Sequence, residues 1–226
     1  MATSRFEHPS AAPVALLLPD LDCGRGDYWL DRWAAGRIDC RAIDLGHAHV
    51  PDRNDCVSRL DRACRGVDAP LILIGHGVGA LTIAAWAGLM TSESEHAVAG
   101  ALLIGPSDPA AEGADPRLAS FAPVPNMIFT FPALVVASAD DPTIGEDRAF
   151  SLARQWGAGF ASFGRLGHFR PCDDLGAWRE GEHLLDRFID LVEPGHHHAV
   201  DQLDRCVTQP AAFLDRGTST FAFRPR

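Results

Sequence analysis

The sequence predicts an α/β three-layer sandwich, a largely parallel central sheet with helices on both faces, and three observations carry that expectation. Short aliphatic runs of strand length alternate with stretches of helical apolar spacing. The connections between them are long enough for right-handed crossovers between parallel strands. Residues 71–90, LILIGHGVGALTIAAWAGLM, pass from a buried strand through three closely spaced glycines directly into a buried helix.

In chain order, Val14–Leu18 (VALLL) reads as a first buried strand, and Pro19, Asp20, Leu21, Asp22, Cys23 and Gly24 as the loop leaving its C-terminal end. Residues 28–35 have helical character, with Trp29 and Trp33 one turn apart. Residues 41–45 fit a second strand. Val57, Leu60, Cys64 and Val67 recur at helical spacing, so residues 55–66 should form an amphipathic helix that feeds the central strand at 70–74. After the glycine turn, residues 80–90 should be helical and residues 101–105 (ALLIG) a strand. A connection rich in proline and alanine runs over 110–131, followed by a strand at 133–138 and the loop Ala139, Asp140, Asp141, Pro142. Glu146–Trp156 reads as a helix, 160–163 as the last strand, and 182–192 as the closing helix, with Leu184, Leu185, Phe188 and Leu191 on one side.

With 226 residues, of which 46% are hydrophobic and 22% charged, the chain suits one well-buried core. Residues 1–193 are expected to form a single domain, and 194–226 a C-terminal extension beginning at Pro194-Gly195 and His196-His197-His198. The formal charge of −10 excludes nucleic acid and anionic membrane as expected partners, because no basic patch offsets it. Six cysteines without C-x-x-C spacing suggest reduced thiols in a cytoplasmic protein rather than a disulfide or zinc framework. The apolar window 71–90 could pass for a membrane span, but its central glycines and His76 favour strand, turn and helix.

In parallel sheets of this kind ligands sit at the strands' C-terminal edge. The loops carrying Asp20, Gly77, Asp141 and His168 all leave that edge. Gly75-His76-Gly77-Val78-Gly79 has the spacing of the nucleophile elbow G-x-S-x-G, with glycine at the central position, and the order elbow, acid, histidine is that of the α/β-hydrolase fold. The same glycines match the dinucleotide fingerprint G-x-G-x-x-A, but no acidic residue ends the next strand at the required place. Ser107, Cys23 and Cys172 are alternative nucleophiles, none on an elbow. A metal set drawn from Asp20, Asp22, Asp141 and His168 requires the fold to be assumed, so neither a metal nor another cofactor is expected.

The elbow helix with Trp86, the strand running into Asp140-Asp141-Pro142, the phrase Leu152-Ala153-Arg154-Gln155-Trp156-Gly157-Ala158, and Gly167-His168 followed by Gly176-Ala177-Trp178-Arg179-Glu180-Gly181 resemble the YdeN-like small α/β hydrolases, the group that contains retinoblastoma-binding protein 9. The likeness spans roughly residues 14–192. It implies a Ser-Asp-His serine hydrolase, with Asp141 as the acid, His168 as the base and Gly77 at the nucleophile position. Asp140 matches the acid less well, because the family's acid directly precedes the proline. The oxyanion and pocket positions implied are Asp20, Leu21, Val78 and His76. Three positions depart from the family pattern: Gly77 replaces the serine, Asp20 the oxyanion-loop glycine, and Tyr28 a histidine.

Losing a triad nucleophile costs on the order of a millionfold in turnover. The first expectation is therefore a diverged hydrolase that binds a small ester-like ligand or a protein partner, with His168 available as a general base. The alternatives are an esterase for small carboxyl esters seen with its nucleophile substituted, and a protein-interaction module using the C-terminal extension. On the first, Gly77→Ser alone is expected to restore esterase-probe labelling and ester hydrolysis if Gly77 is the only broken part. If Asp20 also disables the oxyanion hole, the single change should label slowly and Gly77→Ser with Asp20→Gly should gain roughly a further hundredfold.

Overall fold

The computed structural model describes residues 12–23, 27–46, 50–90 and 98–192. Its sheet has six parallel strands: β1 (Val14–Leu18), β2 (Cys40–Ala42), β3 (Leu71–His76), β4 (Val98–Ile104), β5 (Ala133–Ala137) and β6 (Gly159–Ser162). They lie in the order β2-β1-β3-β4-β5-β6. Five helices cover it: α1 (Trp29–Gly36), α2 (Arg53–Arg65), α3 (Val78–Ala87), α4 (Glu146–Trp156) and α5 (Arg179–Val192).

Alternate strand residues serve opposite faces. Leu16, Leu18, Leu73, Leu103 and Val135 pack with α2, α3 and α4, while Leu17, Ile72, Ile74, Leu102 and Val136 pack with α1 and α5. The strands are buried on both sides, which is why they read as unbroken aliphatic runs. Full burial of each such side chain contributes about 1.5–3 kcal/mol.

Helix α2 is capped by Asp52, whose carboxylate accepts from Asn54 N and Asp55 N, both at 2.9 Å. It starts two residues earlier than its apolar spacing shows because that cap is polar. β2 is shorter than expected, since Arg41 and Ala42 are exposed on an edge strand and the chain leaves the sheet after Ala42. β3 is longer: Gly75 and His76 still pair with Leu103 and Ile104 of β4, so the turn into α3 shrinks to Gly77 alone. The window 71–90 thus divides into a strand and a ten-residue helix, and no helix among the described residues is long and apolar enough to cross a membrane. The extension at 194–226, with its histidine run and Cys206, lies outside the described residues.

Strand order reverses between β1 and β3: the chain steps outward from β1 to β2, then returns to the other side of β1. Such a switch point opens a crevice at the strands' C-terminal ends. Leu18 is in register with Gly75, so Asp20 and Gly77, each two residues further along, emerge side by side into it.

Candidate active site

The elbow begins with three glycines in three tight places. A Cβ at Gly75 would lie 2.5 Å from the α3 backbone at Ala80 N, and one at Gly79 would lie 2.3 Å from Leu18 O. Both glycines let α3 press onto β3 and β1. Gly77 has φ 52° and ψ −111°, backbone that residues with a Cβ adopt only under strain.

Asp20 occupies the space beside Gly77. An ideal Cβ at position 77 would meet Asp20 Oδ1 at 2.0 Å and Cγ at 2.1 Å. Oδ1 accepts the Val78 amide at 2.8 Å, at the first turn of α3, where unpaired N–H groups and the helix dipole favour an anion. Asp20 therefore caps a helix that has no capping side chain of its own. Its second oxygen, Oδ2, faces His168 Nε2 at 3.3 Å, an ion pair without the alignment of a hydrogen bond. The Arg170 Nε lies 3.8 Å from the same oxygen.

His168 stands in the loop after β6, and its Nδ1 is 2.7 Å from Asp141 Oδ2. Asp141 follows β5 and is oriented by Thr143, whose amide and hydroxyl both donate to Oδ1 at 2.8 Å. Asp140 turns the other way, accepting from Gly167 N at 3.0 Å and Ser138 Oγ at 2.9 Å. It braces the histidine loop, and Asp141 is the acid that meets the imidazole. Asp173 accepts from His168 N and Arg170 N at 3.0 and 2.8 Å, closing that loop on itself. Gly105, at the end of β4 with φ 46°, lies against the pair: a Cβ there would be 3.4 Å from Asp141 Oδ2 and 3.5 Å from His168 Nδ1.

His76, the last residue of β3, is fully buried. Its Nε2 is 2.6 Å from the His168 carbonyl, and its Nδ1 is 2.5 Å from the Tyr28 hydroxyl. The carbonyl can only accept, so Nε2 carries the proton and the Tyr28 O–H donates to Nδ1. Trp29 Nε1 donates to the Phe169 carbonyl at 2.9 Å. Two neighbouring carbonyls of the histidine loop are thus tied down, one from the sheet and one from α1. Leu21 lies outside this hydrogen-bonded set among the described residues; its side chain is buried with Leu18 and Val78 in the core.

Protonation follows these partners. Burial pulls the His168 pKa down, but its contacts with the Asp141 and Asp20 carboxylates outweigh burial and raise it to about 9. Burial opposes ionisation of Asp20 too, yet the His168 contact and the Val78 amide hold its carboxyl well below the usual range. His76, with neutral partners, is pushed by burial down to about 4. At neutral pH an imidazolium therefore lies between two carboxylates, and a neutral imidazole beside it. The Cys23 thiol is pushed up to about 12 by burial and by the Asp20 charge, which makes it a poor nucleophile. Ser107 is buried beyond β4 and Cys172 is exposed.

Asp20, His76 and His168 each offer one ligand atom, and these atoms lie within 4.8 Å of one another. The set suits a proton better than a divalent cation. His76 Nδ1 is already held by Tyr28, and the Arg170 guanidinium adds positive charge at Asp20 Oδ2.

A parallel sheet with helices on both faces, an elbow after its central strand, and an acid and a histidine after two later strands define an α/β hydrolase. The serine hydrolase family model matches residues 15–187, and the chain belongs to that family. Among solved structures, it is similar to a YdeN-like hydrolase from Pectobacterium atrosepticum, with 24% identity over 80% of this chain and 93% of that one and a TM-score of 0.69. It is also similar to the ydeN gene product of B. subtilis, at 17% identity over 77% and 97% with a TM-score of 0.61. Est1E from Butyrivibrio proteoclasticus shares 12% identity over 79% and 89%, with a TM-score of 0.56. No curated protein matches the chain by sequence.

Proposed function

We propose that this serine-hydrolase-family protein does not carry out serine acyl transfer, and that the Asp20 carboxylate has taken the place of the elbow side chain. The observation that carries the reading is the fit between two loops: Asp20 Oδ1 lies 2.0 Å from where a Cβ at position 77 would be. The same oxygen occupies the Val78 amide, the donor an oxyanion would need. A substrate oxyanion about 4 Å from that carboxylate would be disfavoured by about 4 kcal/mol at an effective dielectric of 20. His168, already protonated, cannot act as a base near pH 7.

The fit also favours this reading over an esterase seen with its serine substituted. A serine exchanged for glycine leaves a hole, whereas here the neighbouring loop fills it with a helix cap. A fluorophosphonate probe tests the reading: the protein should remain unlabelled between pH 6 and 8. Labelling that maps to any serine would sink it.

A further inference from the structure

Three buried polar atoms converge at this site without a hydrogen-bond partner: Asp20 Oδ2, His168 Nε2 and Arg170 Nε. Folded proteins seldom leave such atoms unpaired without a reason in their chemistry. The other Asp20 oxygen is fixed on the α3 amide, and the far nitrogen of His168 is fixed on Asp141. The carboxylate thus has one oxygen anchored by a hydrogen bond and one held only by ion pairs, at 3.3 Å from the oriented His168 imidazole and 3.8 Å from Arg170 Nε.

We propose that Asp20 is the nucleophile of a hydrolytic reaction at saturated carbon, with small epoxides as the substrate class. The inference rests on reading Asp20 as the replacement for the elbow side chain. Attack of a carboxylate on an ester carbonyl forms an anhydride and must expel a far more basic alkoxide, so it reverts. Attack on a strained ring carbon forms a stable alkyl ester and releases ring strain.

The atoms and protons balance. Asp20 Oδ2 forms the new C–O bond as the ring C–O bond breaks, and the freed oxygen takes the proton from His168. Esterification removes the negative charge that held that proton, so the imidazole becomes a competent base at the stage where one is needed. Water then adds to the Asp20 carboxyl carbon and gives a proton to His168. The charge that develops falls on Oδ1, which already sits on the Val78 amide. Collapse expels the diol oxygen, which takes up the remaining water-derived proton, and regenerates the carboxylate and the imidazolium. Epoxide and water give diol, with no proton drawn from outside the cycle. Access would run past Arg170, whose Nε is buried against Oδ2 while its side chain is 39% exposed.

The test uses the full chain and butylene oxide. In His168→Gln ring opening should slow for want of its proton donor, but any ester formed should persist, so after long incubation mass spectrometry should find one hydroxybutyl group on Asp20. In the unaltered protein, held in excess over epoxide in water enriched in heavy oxygen, the label should enter the Asp20 carboxylate. Diol formation should fall by on the order of a thousandfold or more in Asp20→Asn. If His168→Gln does not fold, or folds and traps no adduct, the heavy-oxygen arm decides alone. Asp20 free of both adduct and label, or alkylation confined to exposed Cys172, overturns the proposal. A fluorophosphonate-labelled serine would overturn the non-acylating reading with it, whereas absence of both kinds of labelling overturns this proposal only.

Discussion

His76 and His168 are buried with ring centroids 5.1 Å apart, yet at neutral pH one is uncharged and the other cationic. One ends a central strand and meets a hydroxyl and a carbonyl; the other sits in a loop between two carboxylates. Burial alone would discharge both, because desolvation disfavours an imidazolium. Only the ring that meets anions stays charged. Both rings are held by segments distant in sequence, but Asp20 from β1 and Asp141 from β5 bring carboxylates to His168, whereas Tyr28 before α1 and the carbonyl of the histidine loop bring only neutral groups to His76.

The largest break in that contrast should come from restoring an ordinary elbow. Gly77→Ser alone cannot place a hydroxyl beside His168, because its Cβ would overlap Asp20; this replaces the expectation from sequence that the single change restores labelling, whether fully or slowly. Gly77→Ser with Asp20→Gly removes the overlap, frees the Val78 amide and leaves His168 with one carboxylate. We expect this double variant to hydrolyse p-nitrophenyl acetate at least about a hundredfold faster than either single variant, the size of a recovered oxyanion donor. Equal background rates in all four proteins would show that the site needs more than these two positions.

The next largest effect is on stability against pH. His168 binds its proton more tightly folded than unfolded, so its contribution is complete below pH 6.5 and is lost as pH rises through about 9. His76 binds its proton less tightly when folded, so it destabilises the fold as pH falls from 6.5 through about 4. Urea unfolding should therefore give greatest stability near pH 6.5, with a decline of about 3 kcal/mol towards pH 9. His168→Gln should flatten the alkaline side only, and an unchanged alkaline slope would refute the assignment of charge.

Smaller changes sharpen the comparison one partner at a time. Asp20→Asn removes one of the two anions, and the NMR titration midpoint of His168 should drop by on the order of 1 to 2 pH units while Asp141 keeps it above that of His76. Tyr28→Phe leaves His76 Nδ1 buried without a donor, and should lower stability by about 1–2 kcal/mol with the His168 midpoint unmoved.

The sheet, the elbow and the loops of Asp141 and His168 were legible because each is a local pattern: aliphatic runs, glycines at close-packed turns, and an acid or histidine at a strand end. Of the two neighbouring acids, the one before Pro142, Asp141, is the one that faces the imidazole. What escaped depends on segments far apart in the chain. Asp20 was recognisable as an intruder in the loop after β1, but its reach to Val78 and into the space beside Gly77 follows from the register of β1 on β3. Arg170, Thr143 and Gly105 carry no motif; only the meeting of three strand ends gives them roles. Gly105 had one faint signal, a glycine directly ending an aliphatic strand.

The overlap at position 77 also orders the history of this site. While any side chain stands on the elbow, Asp20 cannot take its present rotamer, so an aspartate arriving first would find its place filled. Glycine at 77 opens the space, and only then does an acid at 20 gain the helix amide and the imidazole as partners. A lineage moving from a serine elbow to this arrangement would pass through a form with an empty elbow, and reversal would face the same gate from the other side, with residue 20 having to yield first.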